Sequence, residues 1–205
     1  MSFMKIHLPI PNLSPDKVKL VPFEVDEHLM ALWEGTKDTP VIFSGMNDGP
    51  FDDIEGMRKW MTKHLADPNR LEFAIFTTPA KDPQGTEKVF AGRIALKDID
   101  LEKRTAAVGI IVLKDYQRTH VNTHATSIVL RLAFDEFRLK KVKWSTSTSN
   151  IQSQRAALRL GFKHSAEHED SRGRHDRWGA SISSEQWRES VKDHVDNLVV
   201  RGHIS

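Results

Sequence analysis

The sequence predicts a single mixed α/β domain with helices on both faces of one sheet. Three observations lead there. The 205 residues amount to one domain with short extensions, at roughly 150 residues per domain. The apolar pattern changes period along the chain in the order β, α, α, β, β, β, α, β, α, β, β, α, a mixture that packs as helices on a sheet. The three central strands are near-continuous apolar runs, as expected where both faces of a strand are covered.

Val18 to Phe23 reads as a first strand after a proline-containing arm over residues 1–17. Asp26 then caps a short helix with Leu29, Leu32 and Trp33 at helical spacing. Thr39 to Pro50 holds Pro40, Gly45, Asn47, Gly49 and Pro50, which is turn chemistry. Asp52 and Asp53 open a second helix whose stripe is Ile54, Met57, Trp60, Met61 and Leu65, and Asp67-Pro68-Asn69 stops it. Leu71 to Thr78, Val89 to Leu96 and Ala106 to Leu113 are the central strands, with a Pro- and Gly-containing loop from Pro79 to Glu87. Val121 to Phe137 is a long amphipathic helix turning Ala125, Ile128, Val129, Leu132 and Phe137 inward. Lys141 to Thr148 alternates Val142, Trp144, Thr146 and Thr148 with polar residues, a half-buried strand. Asn150 caps a helix that ends at Leu160-Gly161, where glycine suits the left-handed stop. Phe162 to Ala166 and Trp178 to Ile182 are late strands around a charged turn. Ser184 caps a last helix with Trp187, Val191, Val195 and Leu198 on one face, so residues 184–205 pack on the domain or at a dimer interface. The five tryptophans, Trp33, Trp60, Trp144, Trp178 and Trp187, fall on apolar faces and read as core.

Composition excludes several classes. The chain is 39% hydrophobic and 28% charged, which argues against disorder, collagen and coiled coil. With no cysteine it holds no disulfide, Cys nucleophile, thiolate zinc site or redox CxxC. The net charge of +2 and the lack of a basic stripe argue against a nucleic-acid partner. No run of about 18 apolar residues predicts a membrane span, and Met1 to Pro11 does not read as a secretory signal, so a cytoplasmic protein is expected.

A longer pattern runs from Val108 to Trp187. It comprises Val108-Gly109-Ile110-Ile111-Val112, the loop Tyr116-Gln117-Arg118-Thr119, and Thr123-His124-Ala125 at the opening of the helix. Ala133-Phe134, Val142-Lys143-Trp144, Asn150-Ile151-Gln152-Ser153 and Ala157-Leu158-Arg159-Leu160-Gly161-Phe162 follow, and Asp176 and Glu185-Gln186-Trp187 close it. This stretch resembles the GNAT superfamily of acyl-CoA-dependent N-acetyltransferases. It is most similar to the RimJ/RimL-like branch, and within it to a fungal and bacterial group. Residues 18–107 follow the family's order of elements more loosely.

The resemblance implies a GNAT-type domain over residues 18–183, with a mostly antiparallel sheet splayed where the pantetheine arm enters. It implies acetyl-CoA as acyl donor and an amine as acceptor: a small molecule or a peptide or protein N-terminus. It places the donor against Ile111, Val112 and Leu113 of the strand, the loop Gln117, Arg118, Thr119, His120, Val121, Asn122 and Thr123, and then Asn150 and Ser153. In the family the pyrophosphate rests on amides at the helix N-terminus, where free N–H groups and the positive end of the dipole favour an anion. The family's loop carries small residues where this chain has His120 and Asn122. Ser153 is the residue implied beside the thioester sulfur, and Asn150 on the pantetheine arm; Asn150 also reads as a plain N-cap and Ser153 as a residue of the first turn.

The tyrosine many relatives use to protonate the leaving thiolate is replaced by Ala157, and the sole tyrosine, Tyr116, precedes the phosphate loop. The relatives' glutamates correspond to Ala107, His124 and Ser165, so no single base stands out. His120, His124, Glu167, Glu169, His175 and Asp176 are the candidates. His164, His168 and the acidic residues around them match no zinc spacing, so a solvated charged hairpin is the better reading and no metal is expected. Two other functions fit the same sequence: a fold repurposed to a CoA-independent reaction in a biosynthetic pathway, and a non-catalytic acyl-CoA-binding or interaction module, the last helix making a homodimer plausible.

Overall fold

The computed structural model describes residues 17–46, 48–79, 87–165 and 176–201. Its elements run β1 (Val18–Pro22), α1 (Val25–Glu34), α2 (Ile54–Leu65), β2 (Leu71–Thr77), β3 (Val89–Asp100), β4 (Thr105–Val112), α3 (Val121–Arg131), β5 (Lys141–Ser147), α4 (Ile151–Arg159), β6 (Lys163–His164) and β7 (Arg177–Ser183). Short α5 (Ser184–Gln186) leads through a wide helical turn, Trp187–Val191, into α6 (Lys192–Arg201). The expected order of elements is therefore observed.

Among the described residues, seven strands form one sheet in the order β1-β2-β3-β4-β5-β7-β6. Every pairing is antiparallel except β4 with β5. That parallel pair runs only from Thr105 opposite Lys141 to Val108 opposite Trp144. Beyond it Gly109–Val112 and Ser145–Ser147 part, and the sheet opens into a splay.

The sheet separates two cores. One joins Ile94, Leu96 and Val108 to α3 and α6 through Val121, Val129, Leu130, Trp187, Val191 and Val195. The other joins Ala74 and Ile111 to α1 and α2 through Leu29, Leu32, Met57, Trp60 and Met61. Strand residues alternate between the two faces, which is why the central strands read as continuous apolar runs.

Local differences from the sequence reading have local causes. The α1 cap is Glu24 rather than Asp26, and its amide donates to His28 Nδ1 at 2.9 Å. Asp26 lies inside the first turn, where a carboxylate still meets the positive end of the dipole. Asp53 caps α2 by accepting from the Gly56 amide, and Leu65, the last residue of α2, is exposed. The strand β3 outlasts Leu96 because Lys97 and Asp100 still pair with β4. The long helix becomes a wide turn over Leu132–Glu136, leaving Phe137 half-buried.

Phe162 belongs to the core rather than to a strand: it is 2% exposed and meets Trp144 edge-on at 5.4 Å. Gly161 ends α4 with φ +90°. The last cap is Ser183, one residue earlier than read, because a capping box with Gln186 forms there: Ser183 Oγ accepts from the Gln186 amide, and Gln186 Oε1 accepts from the Ser183 amide. Trp187 stacks on Phe134 and donates to Asp135, which seats the terminal segment on the α3 side of the sheet. Trp60, Trp144 and Trp187 are core, whereas Trp33 and Trp178 are half-buried.

Candidate active site

The splay is built by β4, the loop after it, the start of α3, the end of β5 and the start of α4. Each contributes one kind of chemistry.

Directly after β4, the Leu113 amide donates to the Ala91 carbonyl on β3 at 2.9 Å. Successive peptide groups of a strand point in opposite directions, so Val112 turns its N–H and C=O away from β3, toward the splay. Gln117 Nε2 bonds the Val112 carbonyl from that side at 3.1 Å. The Ile111 side chain is 2% exposed and belongs to the α1–α2 core, as does Leu113 at 9%. Of these three residues, Val112 alone turns its backbone polar groups into the splay, while those of Ile111 and Leu113 face β3.

The loop turns sharply at Arg118, whose φ is +61° and whose side chain is exposed. Thr119 Oγ1 donates to the Tyr116 carbonyl at 2.6 Å and accepts from the Val121 amide at 3.3 Å. The first full helical bond of α3 is His124 N–H to His120 C=O. The amides of Asn122 and Thr123 therefore lie before the intrahelical ladder begins, where helix donors face outward. Val121 is fully buried, and the Thr123 hydroxyl accepts from Arg159 Nη2 at 2.7 Å. Of the loop's hydroxyls, that of Thr123 is thus engaged inside the fold.

The two bulky substitutions in this loop are turned off its mouth. His120 Nε2 lies 3.0 Å from Thr77 Oγ1 on β2, and Asn122 Oδ1 accepts from Thr126 one turn along its own helix at 3.0 Å. Side chains disposed this way leave the backbone approachable, which is the property glycine supplies elsewhere.

Across the splay, Asn150 Oδ1 accepts from the Ser153 amide at 3.0 Å, so the asparagine is the α4 cap. A Cβ on Gly45 would lie 2.6 Å from both Asn150 Nδ2 and Thr146 Oγ1, which places the 44–46 segment directly beside the cap. Ser153 Oγ receives a hydrogen bond from Trp144 Nε1 at 3.0 Å. Indole is a donor only, so this bond takes one of the two serine lone pairs and does not use the serine O–H. Trp144 is also the last β5 residue paired with β4. The serine is thereby anchored where the sheet opens.

Arg177 closes one wall. Its Nη1 donates to the Gly45 carbonyl at 3.0 Å, and Nε and Nη2 donate to Ser145 Oγ at 3.2 and 3.0 Å. Both this clamp and the Trp144–Ser153 pair join residues distant in sequence or on separate elements, so periodicity carries no sign of them.

Among the candidate bases, His124 is fully buried within α3 with its ring 5.0 Å from that of His120. Asp176 is exposed, and its carbonyl accepts from the Thr148 amide at 2.8 Å. Glu167, Glu169 and His175, with the His168 part of the charged hairpin, lie outside the described residues. Among the described residues no group of three or more potential ligands is arranged to hold a metal ion, and no helix is long and apolar enough to cross a membrane.

No curated protein sequence matches this chain. Solved structures do. A GCN5-related N-acetyltransferase from Brucella melitensis superposes with a TM-score of 0.73 at 23% identity, over 88% of this chain and 81% of that one. A spermidine N-acetyltransferase from Vibrio cholerae, solved in complex with CoA and spermine, superposes with a TM-score of 0.68 at 18% identity, over 84% of this chain and 99% of that one. At these identities the likeness is one of fold. The family model described as the acetyltransferase (GNAT) domain matches residues 17–163. With most of its length inside that match, and with the sheet, the splay and the helix N-terminus beside it in place, this chain belongs to the GNAT acetyltransferase family, whose members transfer an acyl group from CoA to an amine.

Proposed function

We propose that this protein is an acetyl-CoA-dependent N-acetyltransferase of the RimJ/RimL-like branch, transferring acetyl directly to an amine bound on the α1–α2 side of the splay. The observation that carries this reading is the Trp144–Ser153 hydrogen bond at the point where β4 and β5 part. It presents a hydroxyl donor at the place where a sulfur would leave.

Acetyl-CoA supplies the acyl group as a thioester. The amides of Asn122 and Thr123 offer donors to phosphate oxygens, and Asn150 flanks the pantetheine arm. The Val112 N–H, turned into the splay, donates to the carbonyl oxygen as negative charge grows there. Ser153 Oγ–H donates to the sulfur as the C–S bond breaks. An alkylammonium has a pKa of about 10, so about one molecule in a thousand is nucleophilic at pH 7. The N–C bond forms as the C–S bond breaks. Of the two protons the ammonium loses, one ends on the thiol and the other passes to solvent.

The test is a thermal-shift titration with acetyl-CoA, CoA and an unrelated nucleotide. A ligand at a hundred times its Kd adds about 2.7 kcal/mol to the folded state, which for a chain of this size moves the midpoint by roughly 5–10 °C. Stabilisation by acetyl-CoA and not by the unrelated nucleotide supports the reading, and no shift at millimolar acetyl-CoA overturns it.

A further inference from the structure

The α1–α2 face of the sheet carries a concentration of cations that the transfer scheme leaves unused. The register sets Lys97, Ala107, Lys143 and Ser181 in one row across β3, β4, β5 and β7, with Arg70 immediately before β2 at the same level. The next row toward the splay is Glu72, Ala95 and Gly109, and the one after it Ala74, Arg93 and Ile111. Ala74 and Ile111 belong to the core formed with Trp60 of α2, so these rows lie under α1 and α2, opposite α3.

Lys97 lies along Gly109, with its Cε and Cδ 3.5 and 3.6 Å from where a Cβ would sit. Burial, and then the fields of Arg70, Arg93 and Arg177, hold its pKa below the ordinary lysine value against the opposing pull of Asp98. The carboxylates that bear on this floor are Glu72, Asp98 and, from the exposed loop before α2, Asp48. Among the described residues, the cations of this face, Arg70, Arg93, Lys97, Lys143 and Arg177, outnumber them.

Arg93 is fully buried. Its Nη1 donates to both oxygens of Glu72, at 3.2 and 3.0 Å, and its Cζ stands 4.9 Å from the centre of the Trp60 ring. Among the described residues, its Nε and Nη2 have no hydrogen-bond partner, and neither does the buried Nε1 of Trp60. Nε–H and Nη2–H form one edge of the guanidinium fork, the edge that grips a carboxylate through two parallel hydrogen bonds. A structural ion pair with Glu72 accounts for Nη1 and leaves that edge unexplained.

We propose that the acceptor is a small amine that also bears a carboxylate, and that the unused edge of Arg93, over the Trp60 ring, binds that carboxylate, with Lys97 and Arg177 adding positive charge to the same face of the sheet. This deepens the acetyl-transfer reading and rests on it. Arg93 stands opposite Ile111, one strand spacing of about 4.8 Å from β4, so an amine a few bonds from the bound carboxylate reaches the splay. Entry requires α2 to shift, because Trp60 covers the guanidinium. The same field disfavours a polycationic acceptor.

The experiment measures thiol release from acetyl-CoA with matched acceptors. These are the common amino acids, β-alanine and γ-aminobutyrate, each beside its carboxamide, together with spermidine. Acetyl-CoA binding is measured by calorimetry on the same preparation. For the best acceptor, kcat/KM is expected to exceed that of its amide on the order of 10²-fold, since a site built for a charged group rejects the analogue lacking it, with spermidine below both. Arg93→Lys, which keeps charge and loses the fork, and Lys97→Met, which tests the field should Arg93→Lys fail to fold, are expected to collapse the acid-to-amide ratio toward one, chiefly through KM. Equal use of acid and amide, a preference for spermidine, turnover of none of the carboxylated amines, or variants that slow acid and amide alike each overturn the proposal while acetyl-CoA still binds. Failure to bind acetyl-CoA is instead failure of the transfer reading.

Discussion

Replacing Ser153 with alanine separates a catalytic role from a structural one. Ser153 Oγ accepts from Trp144 Nε1 at 3.0 Å, and Trp144 is 4% exposed. The alanine leaves a buried indole N–H without its acceptor, which costs on the order of 1–3 kcal/mol of stability. In the reaction it removes a donor to a sulfur gaining negative charge. A hydrogen bond to a charged group is worth about 1.5–3 kcal/mol, so kcat should fall roughly 10- to 150-fold. The two losses part in a double-mutant cycle. Trp144→Phe with Ser153→Ala removes donor and acceptor together and should recover most of the stability lost by Ser153→Ala alone, yet kcat should stay low. The assay is steady-state thiol release at saturating acetyl-CoA, beside chemical denaturation of all four proteins. A folded Ser153→Ala protein whose kcat stays within about threefold of the parent, a change under 1 kcal/mol, refutes the assignment and leaves Ser153 a residue of the α4 first turn.

Further outcomes follow from the same structure. Glu72 is fully buried as a side chain: burial raises its pKa, but Arg93, His64 and Arg70 outweigh this and bring it down to about 2. A depressed carboxyl pKa stabilises the fold above the unfolded value, and that contribution is lost as pH falls from about 4.5 toward about 2; acid titration of the folded fraction should show a steeper loss there than Glu72→Gln does. That variant leaves Arg93 buried without its counter-charge, at a cost of about 3–5 kcal/mol at neutral pH, read by urea denaturation. His120 is turned toward Thr77, so His120→Gly should change the acetyl-CoA Kd by no more than about threefold, under 1 kcal/mol, by calorimetry. Gly161→Ala forces φ +90° on a residue with a side chain and sets a Cβ 3.0 Å from Val191 Cγ1; a loss of about 1–2 kcal/mol should lower Tm by roughly 2–8 °C in calorimetry.

The elements were legible because each leaves a local trace. Asn150 before a helix and Gly161 after it announce α4, and both occupy the roles their side chains suggest. The cap positions that moved, Asp26 to Glu24 and Ser184 to Ser183, did so where neighbouring polar residues compete within one turn. His28 accepts the Glu24 amide, and Gln186 completes a box only with Ser183. Such choices depend on side-chain reach and not on pattern. The loop from Gln117 to Thr123 is a candidate through its resemblance alone, and the bonds of His120 to Thr77 and of Asn122 to Thr126 leave no trace in the sequence pattern.

The sequence by itself determined the strand and helix order, the two-sided burial of the central strands, the α4 cap and the stop at Gly161. Those depend on apolar period, capping chemistry and glycine's freedom, all within a few residues of chain. Only the tertiary structure decided where β4 and β5 part, which hydroxyl meets Trp144, and how Arg177 ties Gly45 to Ser145. It alone brought Glu72, Arg93, Lys97 and Trp60 onto one face of the sheet. These are contacts between residues far apart in the chain, and for the strand residues Glu72, Arg93 and Lys97 a shift of one position in register would turn the side chain to the opposite face.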